Sequence, residues 1–168
     1  GDIDKAVEYL RKRGMAAVEK RAGREANEGV VMSYIHPGSR LGVLVEINCE
    51  TDFVARTDDF QTFVRDVAMH IAAEGPVAVS REDLEPAVIE KEKEIYLEQA
   101  RNEGKPAHIA EKIVTGRLDK YFQEVCLMEQ AFVKDPDKTI QDLFTELTAK
   151  IGEKITIRRF SCFRLGEG

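Results

Sequence analysis

The carboxylates Glu46, Glu50, Asp52, Asp58 and Asp59 crowd one stretch of this chain, and they are the first candidates for chemistry. Clustered acids can hold a hard cation or carry out proton transfer. Their spacing matches no calcium loop, and no second group of acids or histidines stands beside them in the sequence. Asp58 and Asp59 read instead as acids at a helix start, where the helix dipole favours negative charge. The three histidines, His36, His70 and His108, are isolated. His70 falls among apolar helical positions and reads as a core or boundary residue, and His36 beside Pro37 reads as a turn residue. There is no Gly-x-Ser-x-Gly, no His-Glu-x-x-His and no glycine-rich phosphate loop. The sequence therefore predicts no cofactor, no metal site and no covalent chemistry of its own.

Beside those acids lies Phe53. The apolar run Leu41-Gly-Val-Leu-Val-Glu-Ile-Asn48 leads into Cys49-Glu-Thr-Asp-Phe-Val-Ala-Arg56, so a large aromatic follows an acid at a turn. Turn tips are ordinarily polar, because burying them would orphan backbone groups. Phe53 is thus either the first core residue of the next helix or a plug meant for a partner.

The elements around it follow from period and punctuation. Residues 29–36 alternate, with Val31, Ser33 and Ile35 on one side and Met32 and Tyr34 on the other. Pro37-Gly-Ser-Arg40 is a turn signal, and Leu41, Val43, Val45 and Ile47 share one face of the next strand. These runs predict an antiparallel hairpin. Thr57 or Asp58 can cap a helix whose core face is Phe60, Phe63 or Val64, Val67 and Ile71, ending at Gly75-Pro76. Ser80 to Asp83 resembles a capping box. Residues 85–103 and 107–124 predict two charged helices joined by Gly104-Lys-Pro106. The first carries Val88, Ile89, Ile95, Tyr96 and Leu97 as its seam; the second turns Ile109, Ile113, Leu118, Tyr121 and Phe122 inward. They form a helical hairpin at about 85–124 that protrudes from the sheet. Lys134 to Lys138 reads as a turn, and Thr139 opens a helix that ends at Gly152. In the last strand, 154–165, the apolar parity shifts between Ile157 and Phe160, which predicts either a bulge or a strand buried on both faces.

At the other end, residues 4–13 predict a short helix stopped by Gly14, and 15–28 an exposed helical linker. The opening Gly1-Asp-Ile-Asp reads as the middle of a protein. The fold class is therefore α+β, a three-stranded antiparallel sheet packed with helices on one side. Residues 1–28 are the end of a small helical domain and linker, and 29–168 are the core.

Composition closes off other classes. With 168 residues, 43% hydrophobic and 33% charged, the chain has an ordinary globular make-up. A net charge of −6 and a pI near 5.2 argue against direct nucleic-acid binding, which needs a basic footprint. The basic residues Arg11, Lys12, Arg13, Lys20, Arg21 and Arg24 lack interleaved aromatics and read as a solvated linker. Arg158, Arg159 and Arg164 read as edge-strand charges that oppose aggregation. No run approaches the ~20 apolar residues that span a bilayer. Cys49, Cys126 and Cys162 are odd in number and far apart, fitting a reducing compartment, with an intermolecular pair through Cys162 left open.

Val45-Glu-Ile-Asn-Cys-Glu-Thr-Asp-Phe-Val-Ala55 closely resembles a signature run of the translation elongation factor Ts family, and Ala149-Lys-Ile-Gly-Glu-Lys-Ile-Thr-Ile-Arg-Arg159 resembles a second. Gly1 to Gly14 is similar to the close of that family's N-terminal domain, and Ala17 to Gly29 to its linker. The whole resembles the short bacterial form, with one core αβ unit and without the start of the N-terminal domain. The resemblance implies a cytoplasmic guanine-nucleotide exchange factor for the GTPase elongation factor Tu. It implies that Thr51, Asp52, Phe53 and Val54 push in near the partner's magnesium and nucleotide, and that two subunits pair as a homodimer. The alternative is an interaction or dimerisation module that binds the GTPase without exchange.

Overall fold

A computed structural model describes residues 2–167. In chain order it contains α1 (Asp2–Arg21), β1 (Glu28–Ile35), β2 (Leu41–Cys49), α2 (Asp52–Ala55), α3 (Asp58–Glu74), α4 (Pro86–Asn102), α5 (Ala107–Val125), β3 (Ala131–Phe132), β4 (Asp135–Thr139), α6 (Ile140–Ile151) and β5 (Thr156–Arg164). The class is α+β, as the sequence predicts. The chain divides into two compact units, one of residues 1–75 with 131–168, the other of residues 76–130.

The first unit is built on an antiparallel sheet ordered β1-β2-β5. The predicted hairpin is present, with Tyr34 opposite Val43 and Met32 opposite Val45. Alternation along β2 sends Val43, Val45 and Ile47 into the core and Leu44 outward. Phe60, Phe63, Val64, Val67 and Ile71 of α3 are all buried, as are Ile140, Phe144 and Leu147 of α6. Thr57 caps α3 by accepting from the Phe60 N–H, and Thr139 with Asp142 forms a reciprocal capping box on α6. His70 is fully buried, and its Nδ1 accepts the Val133 N–H at 3.2 Å.

The parity shift predicted in the last strand is a bulge. Glu46 pairs with Arg159 and Ile47 with Ile157, so Arg158 is the extra residue. Its effect is to keep Ile157 and Phe160 both on the Val45–Ile47 face.

Three local readings differ from the structure. Gly14 does not stop the first helix; α1 runs through it to Arg21, and Gly14 is the buried residue of that helix. A methyl there would collide with Thr145 Cγ2, so glycine allows α1 and α6 to approach closely. Arg11 pairs with Asp142 at 3.2 Å, and Arg21 Nε donates to the Gly152 carbonyl at 2.8 Å, fastening the same contact. Residues 134–138 are not merely a turn. Asp135–Thr139 pairs with Ala131–Phe132 in a small two-stranded sheet. Finally, the predicted seams of the two hairpin helices differ: Val88 and Ile95 of α4 and Ile109 of α5 are each about two-fifths exposed, whereas Ala100 and Val114 are buried.

The second unit is the helical hairpin, α4 and α5, which pack along each other and bury Ala100, Ala110 and Val114. At its base Ala78, Leu84, Phe122 and Cys126 form a cluster backed by Ile89, Leu118, Tyr121 and Val125. Arg81 lies over the Phe122 ring, 4.3 Å from its centroid. Its Nε and one terminal nitrogen donate to both oxygens of Glu129 at 2.8 and 2.6 Å, and the other terminal nitrogen reaches Asp119 at 3.3 Å. The Glu129 bonds, more than any other cause, raise the Arg81 pKa above its ordinary value.

Candidate functional site

The turn between β2 and α3 is built almost entirely on Thr51. It is the N-cap of α2, and its hydroxyl accepts from the Val54 N–H at 3.3 Å. Its carbonyl accepts from the Ala55 N–H at 3.2 Å and from the Cys49 thiol at 3.1 Å. Its own N–H and hydroxyl donate to the two carboxylate oxygens of Glu153, at 3.1 and 2.8 Å. Next door, Glu50 accepts from the Lys154 N–H at 2.6 Å and from Arg24 at 3.2 Å. The Lys154 bond leads in holding the Glu50 carboxyl below its ordinary value of 4.5. Lys154 Nζ in turn donates to the carbonyls of Ala22 and Arg24 at 2.7 and 2.8 Å.

This scaffold presents four residues in different ways. Phe53 is 78% exposed. Asp52 is exposed and pairs with Arg56 one helical turn on. Thr51 is exposed at its surface but tied at every backbone and hydroxyl group just described. Val54 is buried beneath the turn with Ala55. The turn is closed on its far side by the Thr57 hydroxyl, which donates to the Val54 carbonyl at 2.7 Å, and by Gln61, which donates to the Ala55 carbonyl at 2.7 Å. The open alternative at Phe53 is thereby resolved at the level of burial: it is outside the core.

Cys49 lies fully buried under the turn, and burial raises its thiol pKa to about 11. It remains a neutral donor at physiological pH, and a thiol is the nucleophile only as thiolate. Of the five clustered acids, Glu46, Glu50, Asp52 and Asp59 each have a separate partner. Glu46 pairs with Arg159 at 2.7 Å, and Asp59 with Lys150 at 2.9 Å. Among the described residues, no group of His, Cys, Asp or Glu is placed to hold a metal ion. No helix of the described residues is long and apolar enough to cross a membrane.

Glu153 and Lys154 were not singled out by the sequence reading. Glu153 is 102 residues from Thr51 and carries no local signal of that partnership. Only the pairing of β2 with β5 brings the two junctions side by side.

The site is thus a solvent-facing aromatic on a hydrogen-bonded turn above a buried sheet core. Comparison with known proteins narrows this. The family model described as Elongation factor TS matches residues 8–167. Over all 168 residues the chain is 64% identical to Elongation factor Ts of Carboxydothermus hydrogenoformans, covering 77% of that relative. It is 61% identical to Elongation factor Ts of Alkaliphilus oremlandii and 60% identical to that of Geotalea daltonii, covering 77% and 78% of them. The chain belongs to the elongation factor Ts family of translation elongation factors.

Proposed function

We propose that this chain promotes release of GDP from elongation factor Tu in the cytoplasm, by inserting the Asp52–Phe53 turn near the partner's magnesium and nucleotide. The observation that carries the reading is Phe53 itself, 78% exposed on a turn whose backbone is tied down. An aromatic offered from a rigid support can enter a partner pocket with little loss of conformational entropy. Magnesium holds nucleotide phosphates only in near-octahedral geometry. A shift of an ångström or so in the partner's magnesium-binding elements would loosen both ion and nucleotide. Phe53 supplies the apolar wedge and Asp52 addresses polar groups at its rim. Val54, buried below, acts as the anchor of the turn and not as a contact surface. The chain makes and breaks no covalent bond in this scheme. Binding of factor and binding of nucleotide oppose each other, and linkage makes that opposition mutual.

The outer face of the sheet supports a homodimer as part of the same reading. Val31, Ile35, Leu44 and Phe163 are exposed there, and Gly42 sits between Ile35 and Phe163 in the register. A sheet face of this kind is covered efficiently by a second sheet, and two copies related by a two-fold axis present it to each other. Should the chain bind the GTPase without speeding release, the interaction-module alternative replaces exchange.

The test is stopped-flow release of a fluorescent GDP analogue from elongation factor Tu with and without the chain. Acceleration is expected, and Phe53→Ala should reduce it by at least about tenfold, as for a buried aromatic hot spot. Intact binding with no acceleration by the folded wild-type chain would refute exchange.

A further inference from the structure

Phe53 can act as a wedge only if the turn beneath it holds still when the partner pushes back. The hydrogen bonds around Thr51 resist that push. The Thr51 hydroxyl has one proton to give and two lone pairs to receive with. It gives the proton to Glu153 Oε2 at 2.8 Å and receives from the Val54 N–H at 3.3 Å. The acceptor role that starts α2 is therefore set by where Glu153 takes the proton. Glu153 Oε1 simultaneously takes the Thr51 N–H at 3.1 Å. Bonds from one carboxylate to two donors of one residue fix its orientation as well as its position.

Glu153 is itself well held. It follows Gly152, which ends α6 in the left-handed conformation at φ 76°. The Gly152 carbonyl accepts from Arg21, and the next residue, Lys154, donates its N–H to Glu50. The end of α6 and the end of β2 thus exchange carboxylates: Glu50 crosses to Lys154, and Glu153 crosses to Thr51.

We propose that Glu153 is a positioning residue for nucleotide exchange, a latch that sets the direction in which Phe53 is offered to the GTPase. This rests on the exchange reading above. The latch lies at the surface, where Thr51 is exposed, so water can replace it at little cost to the fold. Its loss should register in the order of the turn and in the rate at which bound nucleotide leaves, far more than in global stability.

The experiment uses the full chain and four variants, Glu153→Ala, Glu153→Gln, Thr51→Val and the Thr51→Val/Glu153→Ala double, with Phe53→Ala as the reference. Three quantities are read: the maximal rate of GDP-analogue release at saturating factor, amide hydrogen exchange at residues 51–55 of the unbound chain, and melting temperature. Glu153→Ala should lower the maximal rate roughly three- to tenfold, the scale of one ordinary net hydrogen bond, as expected for an exposed pair that water can replace. Protection of the Thr51 and Val54 amides should fall, while melting shifts by no more than roughly 2–4 °C. Glu153→Gln keeps one acceptor oxygen and should restore part of the rate. Thr51→Val combined with Glu153→Ala should lose less than the two losses added, because both act through the same bond.

An unchanged maximal rate in Glu153→Ala, in a chain whose Phe53→Ala variant is impaired, would overturn the latch while leaving the exchange reading in place. A rate loss that merely follows a loss of folded protein would overturn it too. A folded wild-type chain that never accelerates release would refute the exchange reading. In that case undiminished amide protection in Glu153→Ala would also refute the latch, and lost protection would support it as the organiser of the turn.

Discussion

Two phenylalanines on this chain face solvent to almost the same degree, Phe53 at 78% and Phe163 at 75%, yet their supports differ. Phe53 stands on a short turn fixed by hydrogen bonds that reach across 102 residues of sequence. Phe163 lies on edge strand β5, within a flat apolar field shared with Ile35 and Leu44. Each has a cysteine and a glutamate in its neighbourhood. Cys49 is buried and Glu50 clasps Lys154 near the one; Cys162 is exposed and Glu167 pairs with Arg164 near the other. Exposure alone does not distinguish a wedge from a flat interface. What distinguishes them is whether the backbone below is held as a projection or as a plane.

The sharpest way to break this contrast is to disable each surface in turn. Phe53→Ala should cost at least about tenfold in nucleotide release and leave self-association unchanged. Leu44→Glu, beside Phe163, places a charge in the flat field. It should weaken self-association by about tenfold or more, read by sedimentation equilibrium, since burying an unpaired charge is strongly unfavourable. If Phe53→Ala weakened self-association and Leu44→Glu did not, the roles assigned to the two surfaces would be exchanged.

The cysteines separate the regions by reactivity. In the native chain at pH 8, maleimide should label Cys162 rapidly. Cys49 should stay unlabelled until unfolding, because it is buried and its thiol is pushed up to about 11. Labelling of Cys49 in the native state would mean that the turn opens readily, which would undercut the rigid support given to Phe53.

The smallest effect is on acid titration. Glu50 and Glu46 both have carboxyls held below 4.5, the first chiefly by the Lys154 N–H and the second chiefly by Arg159. A carboxylate with a lowered folded pKa contributes stability that is complete above its ordinary value and is lost as pH falls through the lower one. The Lys154 amide resonance should therefore titrate with a midpoint below 4.5, and Glu50→Gln should abolish that step. A midpoint at or above 4.5 would show that the clasp under Thr51 is not formed in solution.

Much of this architecture is legible in the residues themselves. The hairpin, the α3 core face, the Thr57 and Thr139 caps and the bulge at Arg158 all depend on patterns within a few positions. Gly14 is misleading because a glycine in a helical run ordinarily marks an end, whereas here it is selected by the close approach of Thr145. Asp135-Pro-Asp137 reads as a turn by composition, and its pairing with Ala131–Phe132 emerges only once both ends are placed. At the candidate site, the Thr51–Val54 run is conspicuous in sequence. The burial of Val54 and the reach of Glu153 are not: the first depends on how α2 settles on β1 and β2, the second on the register of β2 against β5.

That register also orders events in time. The central strand β2 receives its second neighbour from β5, near the far end of the chain. On a ribosome adding about 5–20 residues per second, Glu153 follows Thr51 by roughly 5–20 s. During that interval the nascent chain carries a complete Thr-Asp-Phe-Val run without the Glu153 carboxylate that meets Thr51 in the folded chain. Until β5 arrives, only the local bonds within residues 49–61 can shape that run.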